Sequence, residues 1–291
     1  MARPIRLEVA GATYLVTARA ARGEVLFNAE PEFAAFRDLL ARACRRYRWR
    51  CLAWSLCRTR YSLLLQLDAA NLATGMRFVN SAYSQGCRRH PLARGQVFEG
   101  RYEAQPVDVS RALPEAGLRV LRAPLEDGLV AALEDWDWSS HAAMLGLDAA
   151  PDWLAASTLV QAFGPDEAGA RRRYLASVRQ SGRVAMCGRR LHDAGFLAAM
   201  RAAAGQQPTA EAGRDQHTAE CVATLARLLE QHGSRRAAMR AAYNSGRFTQ
   251  KDIAQYFGVH AATVSRAMER EDRWRAPLVA PLAWPRHGLL H

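Results

Sequence analysis

Residues 51–67 read CLAWSLCRTRYSLLLQL, and this β-rich, mostly apolar run sets the fold class. A run of this kind predicts a largely buried strand. The segment TYLVTAR (13–19) alternates as a half-buried strand does and predicts an earlier one. After Gly95, the run QVFEGRYEAQPVDV (96–109) predicts another strand.

Two helices are predicted between these strands. The segment PEFAAFRDLLARACRRY (31–47) begins with a proline and spaces its apolar side chains at helical intervals, at Phe33, Phe36, Leu39, Leu40 and Ala43. A second helix is predicted from about Leu72 to Arg89, with Met76, Val79, Asn80 and Tyr83 along it. The strand–helix–strand–helix–strand order favours an α+β fold, a sheet layered with helices.

The charge of the chain predicts a polyanionic partner. Its 291 residues carry 40 basic and 28 acidic side chains, a net charge of +12, and the pI is about 10.1. That balance favours nucleic acid or an anionic membrane surface as the partner.

The six cysteines form no CxxC pair and have no histidine at zinc-site spacing, which predicts no structural metal. No apolar stretch reaches membrane-spanning length, and residues 1–16 lack the long apolar segment of a signal peptide, so we expect a cytoplasmic protein.

Four regions are predicted along the chain. Residues 1–146 hold the strands, and residues 147–216 form an Ala- and Arg-rich helical connector that ends in a polar linker (202–216). Residues 217–272 form a compact helical unit, and residues 273–291 are a tail without clear structure.

The segment TQKDIAQYFGVHAATVSRAM (249–268) has the pattern of a helix-turn-helix. Ile253, Ala254 and Phe257 share one face of a first helix that Thr249 could cap, and Gly258 provides a tight turn. Val259, Val264 and Ala267 form the buried face of the second helix, and a helix over about 234–243 completes the unit. The predicted DNA-contacting residues are Lys251, His260, Ala261, Thr263, Ser265 and Arg266.

The first 146 residues resemble the REP-associated tyrosine transposases, a single-tyrosine HUH family. The resemblance rests on MARPIRLEVAGATYLVTAR (1–19), NLATGMRFVNSAYSQGCRRH (71–90), GQVFEGRYEAQPVD (95–108) and LEDGLVAALEDWDWSSHAAMLG (125–146). Longer family members also end in a helix-turn-helix. The resemblance implies an antiparallel sheet, hairpin DNA formed by single-stranded palindromic repeats as the ligand, and a possible homodimer.

The family's chemistry uses two histidines that flank one residue on a strand and hold Mg²⁺ or Mn²⁺, and a helical tyrosine that attacks the scissile phosphate. By the resemblance, the histidine positions are occupied by Arg60 and Ser62, the tyrosine position by Arg119, and a neighbouring asparagine position by Ala123. The sequence therefore predicts no catalytic residue and no metal cofactor.

We expect the replacing arginines to serve binding. Arg60, Arg119 and Arg122 would lie together on the family's fold and form a cationic phosphate-binding surface. Arg101 joins the predicted DNA-binding set. The leading expectation is thus a catalytically inactive DNA-binding or regulatory protein.

Two alternatives stay open at this point. One is an active transposase that uses displaced residues, with Tyr83 or Tyr102 as nucleophile and metal ligands among His90, Glu99, Asp108 and His141. The other is an RNA-binding or protein-interaction module on the same scaffold.

Overall fold

The computed structural model describes residues 7–22, 24–88, 96–180, 191–205, 212–244, 248 and 250–268. An antiparallel four-stranded sheet lies at the centre of the first part of the chain. Its strand order is β2-β3-β1-β4. The strands are β1 (Thr13–Arg19), β2 (Arg50–Cys57), β3 (Arg60–Gln66) and β4 (Glu103–Val107). With the surrounding helices, the sheet confirms the α+β prediction.

The interpretation of residues 51–67 as one strand is wrong, because the run forms the β2–β3 hairpin. β2 and β3 pair antiparallel, with Cys57 opposite Arg60 and a turn at Arg58 and Thr59. Seven of the eight residues of β2 are buried, so the run lacks the alternation that marks a half-exposed strand. Its turn also lacks the Asn-Gly or Asp-Gly pair that usually identifies a hairpin.

Helices α1 (Glu30–Tyr47) and α2 (Leu72–Arg88) cover one face of the sheet. Tyr61 of β3 points to that side, where its ring lies 4.7 Å from the ring of Phe36 and its hydroxyl donates to Asn80 at 2.6 Å. The five apolar residues predicted for α1 are all buried, which confirms that prediction.

The opposite face of the sheet is covered by α3 (Val109–Leu121) and α4 (Ala123–Glu126). Successive residues of a strand point to opposite faces, so Arg60 and Ser62 point toward these helices while Tyr61 points away. α3 is continuous although Pro114 lies inside it. Beyond α4 come a 3₁₀ turn (Leu133–Asp135), α5 (His141–Leu145), α6 (Ala156–Gln161), α7 (Glu167–Arg179) and α8 (Ala194–Gly205).

The apolar contacts do not stop at residue 146. Trp153, Leu159, Tyr174 and Met200 belong to the same apolar cluster as the sheet. Part of the stretch expected as a connector therefore packs on the sheet, and a division of this region into domains stays a prediction.

A second apolar cluster lies in the helices near the C-terminus. These helices are α9 (Ala212–His232), α10 (Arg235–Asn244), α11 (Gln250–Phe257) and α12 (Ala261–Met268). α9 begins inside the stretch expected as a linker. Among the described helices, none has the length and apolar composition that crossing a membrane would require.

Candidate nucleic-acid interface

Arg60 begins β3 and is held by residues of α4 and by Asp127, which directly follows it. Its Nη2 lies 2.8 Å from Asp127 Oδ1 and 3.3 Å from Glu126 Oε2, and it donates to the Ala123 carbonyl at 3.4 Å. Its side chain is 14% exposed. Burial alone would lower the pKa of this guanidinium, but the hydrogen bond and charge of Asp127 raise it above its usual value. Arg60 is therefore a fixed cation inside a small ion-pair cluster.

The residues at the family's metal positions do not fit a divalent metal. A guanidinium repels a dication, and the carboxylates nearest to Arg60 are already paired with it. Ser62, two residues along β3, is 4% exposed and offers one neutral hydroxyl. Among the described residues no group of three or more His, Cys, Asp or Glu side chains could hold a metal ion. The absence of a cofactor stays a prediction.

Arg119, at the family's tyrosine position, pairs within its own helix. Its Nε donates to Glu115 Oε1 at 3.2 Å, one turn earlier on α3, and its side chain is 13% exposed. Arg122, at the end of α3, donates through Nη1 to three carbonyls, those of Ser177, Val178 and Gln180. These carbonyls lie at the C-terminal end of α7, where a helix has unpaired acceptors and a partial negative charge.

A phosphate-binding role for these three arginines stays a prediction. Arg60, Arg119 and Arg122 each have acceptors from the chain itself, because half-buried guanidinium groups need hydrogen-bond partners. A phosphate would compete with these carboxylates and carbonyls for the guanidinium N–H groups. Arg101 differs, since it is exposed just before β4. Its role in DNA binding stays a prediction.

The displaced catalytic residues are not brought together as an active site. Tyr83 is 1% exposed, and its hydroxyl donates to the Leu26 carbonyl. Burial raises the pKa of Tyr83 well above its usual value, which disfavours the phenolate that a nucleophile requires. Tyr102 is 6% exposed. His90 lies outside the described residues.

The proposed metal ligands serve other purposes or stand apart. Asp108 caps α3 by accepting hydrogen bonds from the Ser110 amide at 3.1 Å and hydroxyl at 2.6 Å. His141 is 2% exposed, with Nδ1 2.6 Å from the Tyr174 hydroxyl. Glu99 is exposed before β4. The active-transposase interpretation thus lacks an arranged set of groups among the described residues.

A cavity of about 530 Å³ lies beside the start of α3. Among the residues that the structure describes, its charged lining consists of the carboxylates of Asp108, Glu115 and Asp193 and the guanidinium of Arg111, which is paired with Asp193. Carboxylates therefore outnumber cations, and the cavity is unfavourable for phosphate.

Gly258 and Val259 form the tight turn between α11 and α12. Gly258 has φ +61°, a conformation that glycine adopts without strain. Ile253, Ala254 and Phe257 of α11 pack against Val264 of α12 in the second apolar cluster. α10 begins and ends within one residue of the predicted upstream helix.

His260 directly precedes α12 and caps its N-terminus. Its Nδ1 accepts the Ala262 amide at 3.2 Å, and its carbonyl accepts the Thr263 amide at 2.8 Å. Arg266 is exposed, with Nε donating to the Ala262 carbonyl at 3.3 Å and Nη2 to Thr263 Oγ1 at 3.5 Å. His260 and Arg266 are therefore both exposed, and their role in DNA binding stays a prediction.

The prediction that Ala261 is exposed is wrong. Ala261 is half-buried against the second cluster, whereas Ala262 is exposed. Thr263 is half-buried. The side chains of Lys251 and Ser265, and the whole of Thr249, lie outside the described residues.

Sequence reasoning missed the arginine that supports α11. Arg235 of α10 donates to the Phe257 carbonyl, at the end of α11, and its guanidinium lies 6.0 Å from the Phe257 ring centroid. A basic residue at the start of a helix gives no local signal of this contact, since its acceptor is 22 residues further on.

No family model and no curated protein matches this chain. Among solved structures, the chain is similar to a REP-associated tyrosine transposase bound to a REP hairpin. The TM-score is 0.45 at 14% sequence identity, over 52% of this chain and 89% of that chain.

Proposed function

We propose that this chain is a DNA-binding protein that carries a helix-turn-helix, α11 and α12, on a scaffold of the tyrosine-transposase type without the family's cutting chemistry. The observation that carries the proposal is the exposed side of α12. His260 and Arg266 lie there over a buried apolar face, with a tight turn before the helix. An exposed helix of this kind fits the major groove of duplex DNA, and its N-terminal residues reach the base edges.

The charge of the chain supports a polyanionic ligand. A net charge of +12 attracts phosphates over long range and favours a salt-dependent affinity. We keep hairpin DNA as a second ligand because the sequence of residues 1–146 resembles hairpin-binding transposases. The proposal also includes dimerisation and the division of the chain into four regions: 1–146, 147–216, 217–272 and 273–291.

Catalytic inactivity is supported by what stands at the family's reactive positions. Arg60 is engaged with Asp127 and Glu126, and Arg119 with Glu115. Neither arginine can act as a metal ligand or as a nucleophile at neutral pH, because a guanidinium stays protonated.

The binding test compares three ligands on the full chain: a duplex, a single-stranded hairpin and a structured RNA, at several salt concentrations between about 50 and 200 mM. We expect tighter binding to DNA than to RNA, with log affinity falling linearly with log salt. Arg266→Ala should weaken duplex binding by roughly tenfold. The matched control Arg172→Ala removes an exposed arginine of α7 and should leave the sequence preference unchanged.

Two results would overturn the binding proposal. One is equal binding to all three ligands, which indicates a nonspecific basic surface. The other is a preference for RNA, which favours the RNA-binding module.

The cleavage test incubates the chain with hairpin DNA and Mn²⁺ or Mg²⁺ and looks for a covalent protein–DNA adduct after denaturation. We expect none. An adduct mapped to Tyr83 or Tyr102 would establish an active transposase with displaced residues.

A further inference from the structure

The hydrogen bonds of His260 determine which of its ring nitrogens faces outward as a donor. Nδ1 accepts the Ala262 amide at 3.2 Å, so in the neutral ring this nitrogen carries the lone pair. The proton is then on Nε2, at the other side of the ring. Because His260 is exposed, the start of α12 presents an N–H donor to solvent.

Arg266 presents further donors from the exposed surface of α12, six residues after His260. Its Nε is held by the Ala262 carbonyl and its Nη2 by Thr263 Oγ1, both one turn or less earlier. These contacts hold the guanidinium along the helix and leave other N–H groups free. A side chain held before binding loses less conformational entropy when it binds.

The methyl group of Ala262 lies exposed between these two residues in sequence. The segment AATVSRAM of α12 contains no carboxylate or amide side chain. The exposed groups that the structure describes on α12 are thus donors and a methyl group, without a strong side-chain acceptor.

In the major groove this chemistry matches guanine and thymine. Guanine offers two acceptors, N7 and O6, and thymine offers the C5-methyl group, whereas cytosine offers a donor that would face the donors of α12. His260 and Arg266 are six residues apart, which corresponds to about 9 Å along a helix at 1.5 Å per residue. That distance spans roughly two to three base-pair steps of B-DNA.

We infer that α12 reads duplex DNA through two guanines about two to three steps apart, one contacted by Arg266 and one by His260 Nε2, with Ala262 favouring a thymine methyl group between them. This inference rests on the proposed function. It specifies the class of base sequence that the same helix recognises.

The test begins with selection of bound duplexes from a randomised pool by the full chain. We expect an enriched site with guanines at the stated spacing. Each guanine is then replaced by 7-deazaguanine, which lacks the N7 acceptor. Wild-type affinity should fall by about fivefold or more at each position.

Two variants assign the contacts. Arg266→Ala should lose sensitivity to 7-deazaguanine at one position, and His260→Ser at the other. Serine is a good helix cap, so His260→Ser keeps α12 capped while it removes the imidazole donor. Thermal unfolding should be unchanged in this variant. Arg266→Lys, which keeps the charge without the bidentate fork, should weaken sequence preference more than affinity for random duplex.

Arg227→Ala is the matched control, because Arg227 is an exposed arginine on α9 of the same helical unit. It should lower affinity for all duplexes alike and keep both 7-deazaguanine effects. A selected site without a guanine requirement, or 7-deazaguanine effects that persist in both variants, would overturn the inference while duplex binding stands. If the wild-type chain binds duplex, hairpin and RNA equally, the proposed function fails together with it.

Discussion

Arg60 Nη2 lies 2.8 Å from Asp127 Oδ1, so the position at which the resembling transposases hold a metal ligand carries an internal ion pair here. The two residues are 67 positions apart, and their pairing ties the start of β3 to the segment after α4. The arginine thus has a structural explanation that does not require a bound phosphate.

Loss of Arg60 should destabilise the fold. Arg60→Ala leaves Asp127 and Glu126 side by side without their cation, and partly buried charge pairs lose more on removal of one partner than exposed pairs do. We expect the free energy of unfolding in urea to fall by about 1–3 kcal/mol. In a double-mutant cycle with Asp127→Ala, the second substitution should cost much less in the Arg60→Ala background. Additive costs would show that the pair contributes nothing.

Removal of Arg122 should loosen α7. Its Nη1 donates hydrogen bonds to the carbonyls of Ser177, Val178 and Gln180. Arg122→Ala would leave these carbonyls without this donor. We expect a loss of about 1–3 kcal/mol in unfolding free energy and faster amide exchange in α7. Arg172→Ala, an exposed change on α7, serves as control and should stay within about 0.5 kcal/mol of wild type. If both variants behave alike, Arg122 does not hold the helix.

Gly117 should resist substitution although it lies inside a helix. A Cβ built on Gly117 would lie 2.6 Å from Cδ1 of Leu159, which is itself fully buried in α6. We expect Gly117→Ala to lose about 1–3 kcal/mol of stability by overpacking, more than its gain in helix propensity. Leu159→Val in the Gly117→Ala background should recover part of the loss in thermal unfolding. A stabilised single variant would contradict close α3–α6 packing.

His141 should make stability fall in mild acid. It is 2% exposed, and burial lowers its pKa below the usual value, with Arg179 acting in the same direction and Glu134 opposing. The unfolded state then binds a proton at about pH 6.5 while the folded state does not, so stability is lost as pH falls through that value. The slope approaches about 1.4 kcal/mol per pH unit for one such group.

The measurement is urea unfolding of wild type and His141→Gln between about pH 5.5 and 7.5. His141→Gln should flatten this part of the profile. His232→Gln, at an exposed histidine at the end of α9, should keep the wild-type slope. Equal slopes of unfolding free energy against pH in wild type and His141→Gln would show that His141 does not cause the loss of stability in acid.

The sequence by itself determined the local elements. Periodicity located α1 and its five buried residues, and the turn glycine located α11 and α12, because helices and tight turns are encoded by residues a few positions apart. It also determined the overall charge and the residue types at the family's reactive positions. The hairpin within 51–67 was missed for two reasons. Burial of both faces removes the alternation of a half-exposed strand, and the turn lacks the Asn-Gly or Asp-Gly pair that would separate one strand from the next.

Only the tertiary structure decided what the replacing arginines do. Asp127 lies 67 residues from Arg60, and Val178 lies 56 residues from Arg122. No local pattern predicts such partners, since they are brought together by packing of the sheet against helices from distant parts of the chain. A guanidinium that is half-buried and matched by carboxylates or carbonyls has fewer N–H groups left for a phosphate than one that is exposed to water. The sequence thus determined where the cations are, and the fold determined which of them, such as Arg266 on α12, stay exposed.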